Sequence, residues 1–255
     1  MHTSVLTEAV DKAHKAGRHA LIPFLPAGFP DPERFWEVLR ELDAQGADII
    51  EIGVPFSDPV ADGPLIEAVS LQCLAEGVDL DWILDGLERM AGQLTTPIVC
   101  MGYYNPFWQY GMARFAERAA QAGVAGCIVP DLPLEEAGPF QEVLNAQGMD
   151  LIRMIGVNTS EERMRAYAKN GSGFVYMVAA LGITGTQAGF PPQLPQALSR
   201  AQGIFDDPIA LGFGLERKEQ LGEIRDLVDA VVFGSSLIRH VQGGGEVRTF
   251  LQRWH

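Results

Sequence analysis

The chain has 255 residues, 47% of them hydrophobic, and a formal net charge of -14. That charge argues against nucleic acid or an anionic membrane as partner, since both require basic patches, but it leaves room for a phosphorylated small molecule held by backbone N–H groups. No apolar run nears the roughly 18 residues of a membrane span. Three cysteines (Cys73, Cys100, Cys127) without CxxC spacing, and no hydrophobic leader, predict reduced thiols in the cytoplasm.

In chain order, an N-terminal helix is predicted from about Ser4 to Lys15, followed by a strand at Ala20-Leu-Ile-Pro-Phe-Leu25. Pro26, Gly28 and Pro30 end the strand, Asp31 is a plausible N-cap, and Phe35, Val38, Leu39 and Leu42 recur at helical spacing up to Ala44. Gln45-Gly46 closes that helix, and the strand Asp48-Ile-Ile-Glu-Ile follows. The same unit, a helix ending in glycine and then a short apolar run, recurs before Gly126–Pro130, Asp150–Ile155 and Gly173–Val178. Pro97–Met101, Pro208–Gly212 and Asp229–Phe233 are further strands. Eight non-alternating strands, each followed by a helical segment, predict a single (β/α)₈ TIM-barrel domain spanning 1–255. It carries an extra helix at the N-terminus, and the long interval after the second strand leaves room for a short extra helix beyond Asp62. No strand is followed by G-x-G-x-x-G, which disfavours an open doubly wound sheet.

Barrel sites lie at the C-terminal ends of the strands, here Phe24, Glu51, Met101, Asp131, Met154, Val178, Gly212 and Gly234. The five histidines (His2, His14, His19, His240, His255) fall elsewhere, and no lysine stands at a strand end, so carboxylates carry whatever chemistry there is. Glu51 reads either as a functional acid or as a buried partner of Arg153, the one basic residue inside a predicted strand. Asp62 reads equally as a second acid or as a turn residue in Ala-Asp-Gly-Pro; Asp58 fits a turn, and Asp131 has the same ambiguity. Without a histidine or a tight D-x-D pattern, these acids make a poor cation site. Glycine-bearing loops after strands six to eight (Gly182-Ile-Thr-Gly185, Gly212-Phe-Gly214, Phe233-Gly-Ser-Ser236) predict a phosphate cradle, with Ser235 or Ser236 capping a helix.

The long motif Glu51-Ile-Gly-Val-Pro-Phe-Ser-Asp-Pro-Val-Ala-Asp-Gly-Pro64 resembles the α subunit of tryptophan synthase. So do Pro23–Gly28, Tyr103-Tyr-Asn-Pro106, Pro130-Asp-Leu-Pro133 and the three glycine loops, in family order from near Pro23 to Ser235. The resemblance implies a lyase that cleaves indole-3-glycerol phosphate to indole and glyceraldehyde 3-phosphate. It implies Glu51 and Asp62 as catalytic carboxylates, with Gly185, Gly214, Gly234 and Ser235 on the phosphate. Phe24, Ile66, Met101, Tyr176 and Phe213 would line the indole pocket, and Thr184 would sit on a mobile loop. It implies no cofactor in this subunit and a pyridoxal-phosphate β subunit as partner in an α₂β₂ complex. A free-standing lyase releasing indole and a catalytically silent allosteric subunit are the alternatives. The chain departs from the family pattern at Ala179, where serine is usual, at Gly156-Val-Asn-Thr-Ser160, and at Gly102.

Overall fold

Eight parallel strands close into a barrel in sequence order in a computed structural model that describes residues 4–179, 190–212 and 214–254. The strands are β1 (Ala20–Pro26), β2 (Ile50–Gly53), β3 (Ile98–Met101), β4 (Val124–Ile128), β5 (Asp150–Gly156), β6 (Val175–Val178), β7 (Ile209–Gly212) and β8 (Ala230–Phe233). Nearly every strand residue is buried, which is the physical reason that the runs are continuously apolar: one face fills the barrel and the other meets the helices. The expected TIM barrel is therefore present.

Helix α1 (Val5–Lys15) lies across the N-terminal ends of the strands. Ser4 caps it, accepting the Leu6 N–H at 3.1 Å while its hydroxyl donates to Asp150 at the start of β5. Leu6, Val10 and Ala13 recur at helical spacing on its buried face, and Thr7 donates to the Gly173 carbonyl at 2.7 Å. Helix α2 (Pro32–Ala44) starts as its sequence indicates, with Asp31 accepting from Glu33 and Arg34 and a proline in the first turn. Glycines with positive φ end the helices, as at Gly46 (90°) and Gly123 (83°).

The crossovers are richer than the sequence suggests. After β2 come two helices, α3 (Pro64–Ala75) and α4 (Leu80–Arg89), so the extra helix expected beyond Asp62 is present, and at 12 residues it is longer than the short one the sequence suggests. A further unforeseen helix, α5 (Tyr104–Tyr110), precedes α6 (Met112–Gln121) after β3. Helices α7 (Gly138–Ala146), α8 (Glu161–Ala168) and α9 (Leu194–Gln202) follow in turn. A 3₁₀ segment (Lys218–Leu227), kinked at Gly222, fills the β7–β8 crossover, and α10 (Ser235–Gln242) and α11 (Val247–Leu251) end the chain. Strand β4 begins two residues before the expected Gly126 and ends at Ile128, leaving Val129-Pro130 in the loop. The last ladder bond there comes from Gly102 N–H to the Ile128 carbonyl, at 3.0 Å. No helix among the described residues is long and apolar enough to cross a membrane.

The register of β2, which carries Glu51, is fixed from below. Asp48 takes both guanidinium nitrogens of Arg18, at 2.6 and 2.9 Å, and the Leu21 N–H at 2.8 Å, tying the start of β2 to β1. Its carboxylate is mostly buried, so removing it strands a guanidinium and a backbone donor. Asp48→Ala is expected to destabilise the protein by about 2–3 kcal/mol. Urea unfolding measures this, and an unchanged midpoint would show that the ion pair is ornamental.

Candidate active site

Phe24 on β1 and Glu51 on β2 are register partners and point to the same side of the sheet. The Glu51 side chain is fully buried, and neither oxygen has a hydrogen-bond partner among the described residues. Pairing with Arg153 does not occur: Arg153 Nη2 lies 2.9 Å from Asp207 Oδ2, beside the Phe205 ring. The carboxyl of Glu51 is thus left in a low-dielectric setting with no cation to offset its charge. Burial, and then the nearby charge of Asp62, push its pKa up to about 8.

Asp62 sits near the end of the loop between β2 and α3. Its N–H closes a turn on the Pro59 carbonyl at 2.9 Å, as the turn reading of the sequence expects. Its carboxylate is half-buried and accepts a hydrogen bond from the Tyr103 hydroxyl at 3.1 Å. Burial pushes the pKa up to about 6, opposed by the Tyr103 hydrogen bond and augmented by Glu67 in the first turn of α3. Two carboxyls at one barrel mouth therefore titrate apart because one is on a sealed strand and the other on a partly solvated loop.

The other acids are structural. Asp58 is exposed, takes the neighbouring Ser57 hydroxyl and forms a turn with Val60. Asp131 accepts the Tyr104 N–H at 2.8 Å at the start of α5. Among the described residues no three His, Cys, Asp or Glu side chains converge on a metal position.

Apolar side chains surround the pair. Phe24, Ile66, Met101 and Tyr176 are buried; Phe24, Ile66 and Met101 wall a narrow cleft together with Asp62, Gly53 and Tyr103. The aromatic rings occupy space that only glycine leaves free. A Cβ on Gly53 or on Gly234 would lie 2.7 Å from the Phe24 ring, and one on Gly212 would lie 2.2 Å from the Tyr176 hydroxyl oxygen. Burial raises the pKa of the Tyr176 hydroxyl well above its ordinary value, and the carboxyls of Glu51 and Asp62, where ionised, raise it further. Gly102, a departure from the family pattern, has a comparable reason: its Cβ would meet Val54 at 2.9 Å and the Phe107 ring at 3.0 Å.

On the opposite side of the mouth, Gly214 has φ +84° and Gly234 is the N-cap of α10, whose first residue is Ser235. Among the described residues no side chain caps this helix, and the Ser236 hydroxyl, a capping candidate from sequence, instead donates to the Leu215 carbonyl at 2.9 Å. First-turn N–H groups of a helix are donors of the kind that can hold an anion. Thr184, Gly185 and Phe213 lie outside the described residues. Sequence reasoning missed Tyr103 as part of the site; it lay in a quoted motif, but nothing in that motif reveals a contact with Asp62.

The family profile described as tryptophan synthase alpha chain matches residues 10–253. Curated tryptophan synthase alpha chains from Solidesulfovibrio magneticus and Nitratidesulfovibrio vulgaris are 55% and 53% identical, each over 100% of this chain and 99% of theirs. A solved structure of Mycobacterium tuberculosis tryptophan synthase superposes with a TM-score of 0.91 at 31% identity, covering 99% of this chain and 97% of that one. The chain belongs to the tryptophan synthase α-chain family. It is a carbon–carbon lyase of tryptophan biosynthesis that performs the cleavage of indole-3-glycerol phosphate to indole and glyceraldehyde 3-phosphate.

The burial of Glu51 has a thermodynamic signature. Between an ordinary 4.5 and about 8, the folded protein keeps a proton on Glu51 that the unfolded chain has released, so this group's contribution to stability falls as pH rises through that window. Glu51→Gln removes the titration. The melting temperature of the variant relative to the parent is expected to rise from pH 5 to pH 8; a constant difference would mean that Glu51 titrates normally in the folded state.

Proposed function

We propose that Glu51 and Asp62 divide the chemistry of the cleavage between them. Indole carbon 3 is a poor carbanion leaving group, so it must be protonated before the bond to the glycerol carbon can break. Glu51, neutral near pH 7 because of its burial, donates that proton and makes the ring an electron sink. The ring nitrogen becomes cationic, and the Asp62 carboxylate, ionised above about pH 6, stabilises its N–H. Glu51, now a carboxylate, takes the proton of the adjacent glycerol hydroxyl. The C=O forms, the C–C bond breaks, its electron pair returns the ring to neutral indole, and Glu51 is protonated again. The observation that carries this assignment is the pair of carboxyls, 11 positions apart in sequence, in unequal environments at one mouth.

In this reading Phe24, Ile66, Met101, Tyr176 and Phe213 hold the indole, and Gly185, Gly214, Gly234 and Ser235 hold the phosphate through backbone N–H groups and the α10 terminus. Thr184 closes over the substrate. The steps are proton transfers and charge stabilisation, which carboxylates supply, so this subunit needs no cofactor of its own. The partner is a β subunit carrying pyridoxal phosphate in an α₂β₂ complex in the cytoplasm. Family membership, together with a structural neighbour described as tryptophan synthase, supports that partner.

Four outcomes test this reading. Glu51→Gln is expected to abolish indole release while retaining binding of a phosphorylated analogue, and near-normal turnover would remove Glu51 from the mechanism. Asp62→Asn is expected to cost orders of magnitude in turnover; a loss under about tenfold (~1.4 kcal/mol) would remove Asp62. The pH profile of kcat/KM should be bell-shaped with limbs near 6 and 8, because activity requires ionised Asp62 and protonated Glu51. Adding a β subunit is expected to raise indole turnover strongly, whereas equal high turnover alone would favour the free-standing lyase.

A further inference from the structure

The β2–α3 loop is fastened to the strand ends at a small number of points. Its start extends the ladder, with Val54 N–H donating to the Met101 carbonyl at 2.7 Å. Phe56 is clamped to α3: its N–H donates to Ser70 Oγ at 2.9 Å, and the same hydroxyl donates back to the Phe56 carbonyl at 3.2 Å. The Phe56 ring stacks on Tyr103, centroids 5.2 Å apart. Tyr103 follows β3 directly and is buried to 4% exposure, so its ring is a fixed post against which the loop rests. Its hydroxyl accepts the Ala61 N–H at 2.9 Å and donates to Asp62 Oδ2 at 3.1 Å.

A phenol has one hydrogen to give. Because Ala61 N–H approaches the oxygen as a donor, the Tyr103 hydrogen is directed to Asp62. Burial and the Asp62 charge both keep that hydrogen on the phenol oxygen. We propose that Tyr103 is a positioning residue for the cleavage reaction, its hydroxyl spanning Ala61 and Asp62 so that the loop carboxylate is held at the site and in its ionised form.

This deepens the reading given above, because it rests on Asp62 as the group that stabilises the indole nitrogen. A carboxylate on a loop is otherwise free to rotate towards solvent, and its charge would act on the ring only part of the time. The surroundings offer little alternative support. The groups acting on Asp62 or Tyr103 are Glu51 on β2, Glu67 on α3, Asp131 in the β4–α7 loop and Tyr176 on β6, and none of them is a cation. Glu51 and Glu67 disfavour a second negative charge. Of the interactions resolved, only the Tyr103 hydrogen bond favours the carboxylate over the carboxylic acid.

Tyr103→Phe removes the hydroxyl and keeps the ring stacked on Phe56, so the fold is retained, which a melting curve checks. The expected effect is a fall in kcat of about 10- to 100-fold, the scale of one hydrogen bond to a charged group. KM should move by less than about threefold, since the phosphate end is untouched. The acid limb of the pH profile should rise by about one unit while the basic limb, set by Glu51, stays in place. In an Asp62→Asn background the same change should cost under about twofold, because the hydroxyl acts through Asp62. An unaltered kcat and acid limb in Tyr103→Phe, with Asp62→Asn inactive, would overturn the positioning role and leave Asp62 in place. A full loss repeated in the Asp62→Asn background would also overturn it. Near-normal turnover by Asp62→Asn would instead overturn the role of Asp62, and this proposal with it.

Discussion

The site depends on a carboxyl sealed into the barrel without a counter-charge. A buried carboxylate normally finds a cation or several N–H donors, and where it finds neither, the neutral acid is the stable form. Glu51 is in that position: fully buried, unpartnered among the described residues, and placed by β2, whose register Asp48 and Arg18 fix at the strand's start. The side chains around it keep water out. Phe24 and Tyr176 reach across the mouth only because Gly53, Gly234 and Gly212 leave their volume unfilled. Gly212 and Gly234, read from sequence as part of the phosphate loops, thus have a packing task at the level of the barrel.

Asp62 shows the opposite solution to placing a charge. It belongs to a loop whose outer part, at Ser57, Asp58, Val60 and Ala61, is exposed, so its carboxylate keeps enough solvent to ionise near neutral pH. Solvation brings mobility, and the loop is tied back at Phe56 and Ala61 to α3 and to Tyr103. Rigidity for Glu51 and tethered access for Asp62 thus follow from where each residue sits: one inside a ladder, the other 11 positions later in irregular chain.

Much of the architecture was legible in the sequence because it is local. The helix–glycine–strand junctions at Gly46, Gly123 and Gly148 are set by backbone geometry within a few residues, and eight such units leave few topologies other than a closed barrel. What the sequence hid depends on tertiary choice. The extra helix α5 contains Asn105-Pro106 and is short; it persists because Phe107 packs on Phe115 and Phe140. Arg153 looked available to Glu51 because both lie on strands, yet it pairs with Asp207 beside Phe205, away from the mouth. Tyr103 and Asp62 are 41 positions apart, and no periodicity connects them. Glu51 itself stood out from sequence for a physical reason, a carboxylate in an apolar strand, and that reason is the one the structure bears out.

The way the chain would hold phosphate is consistent with the same constraint. A lysine or arginine at the mouth would bind a phosphate monoester well, but a full positive charge acts over long distances in a low-dielectric site. It would lower the pKa of Glu51 and favour its ionised form at neutral pH. Backbone N–H groups and a helix terminus bring smaller partial charges whose influence fades within a turn or so. Gly214 and the uncapped start of α10 place such donors on the β7–β8 side, while Glu51 sits on β2. Arg239, on α10, is spent on Glu216 at 2.5 Å. An acidic protein with a phosphorylated substrate is therefore no contradiction. The absence of a cation beside Glu51 among the described residues is what allows that carboxyl to remain protonated, and backbone donors of the kind proposed for the phosphate are those that would disturb it least.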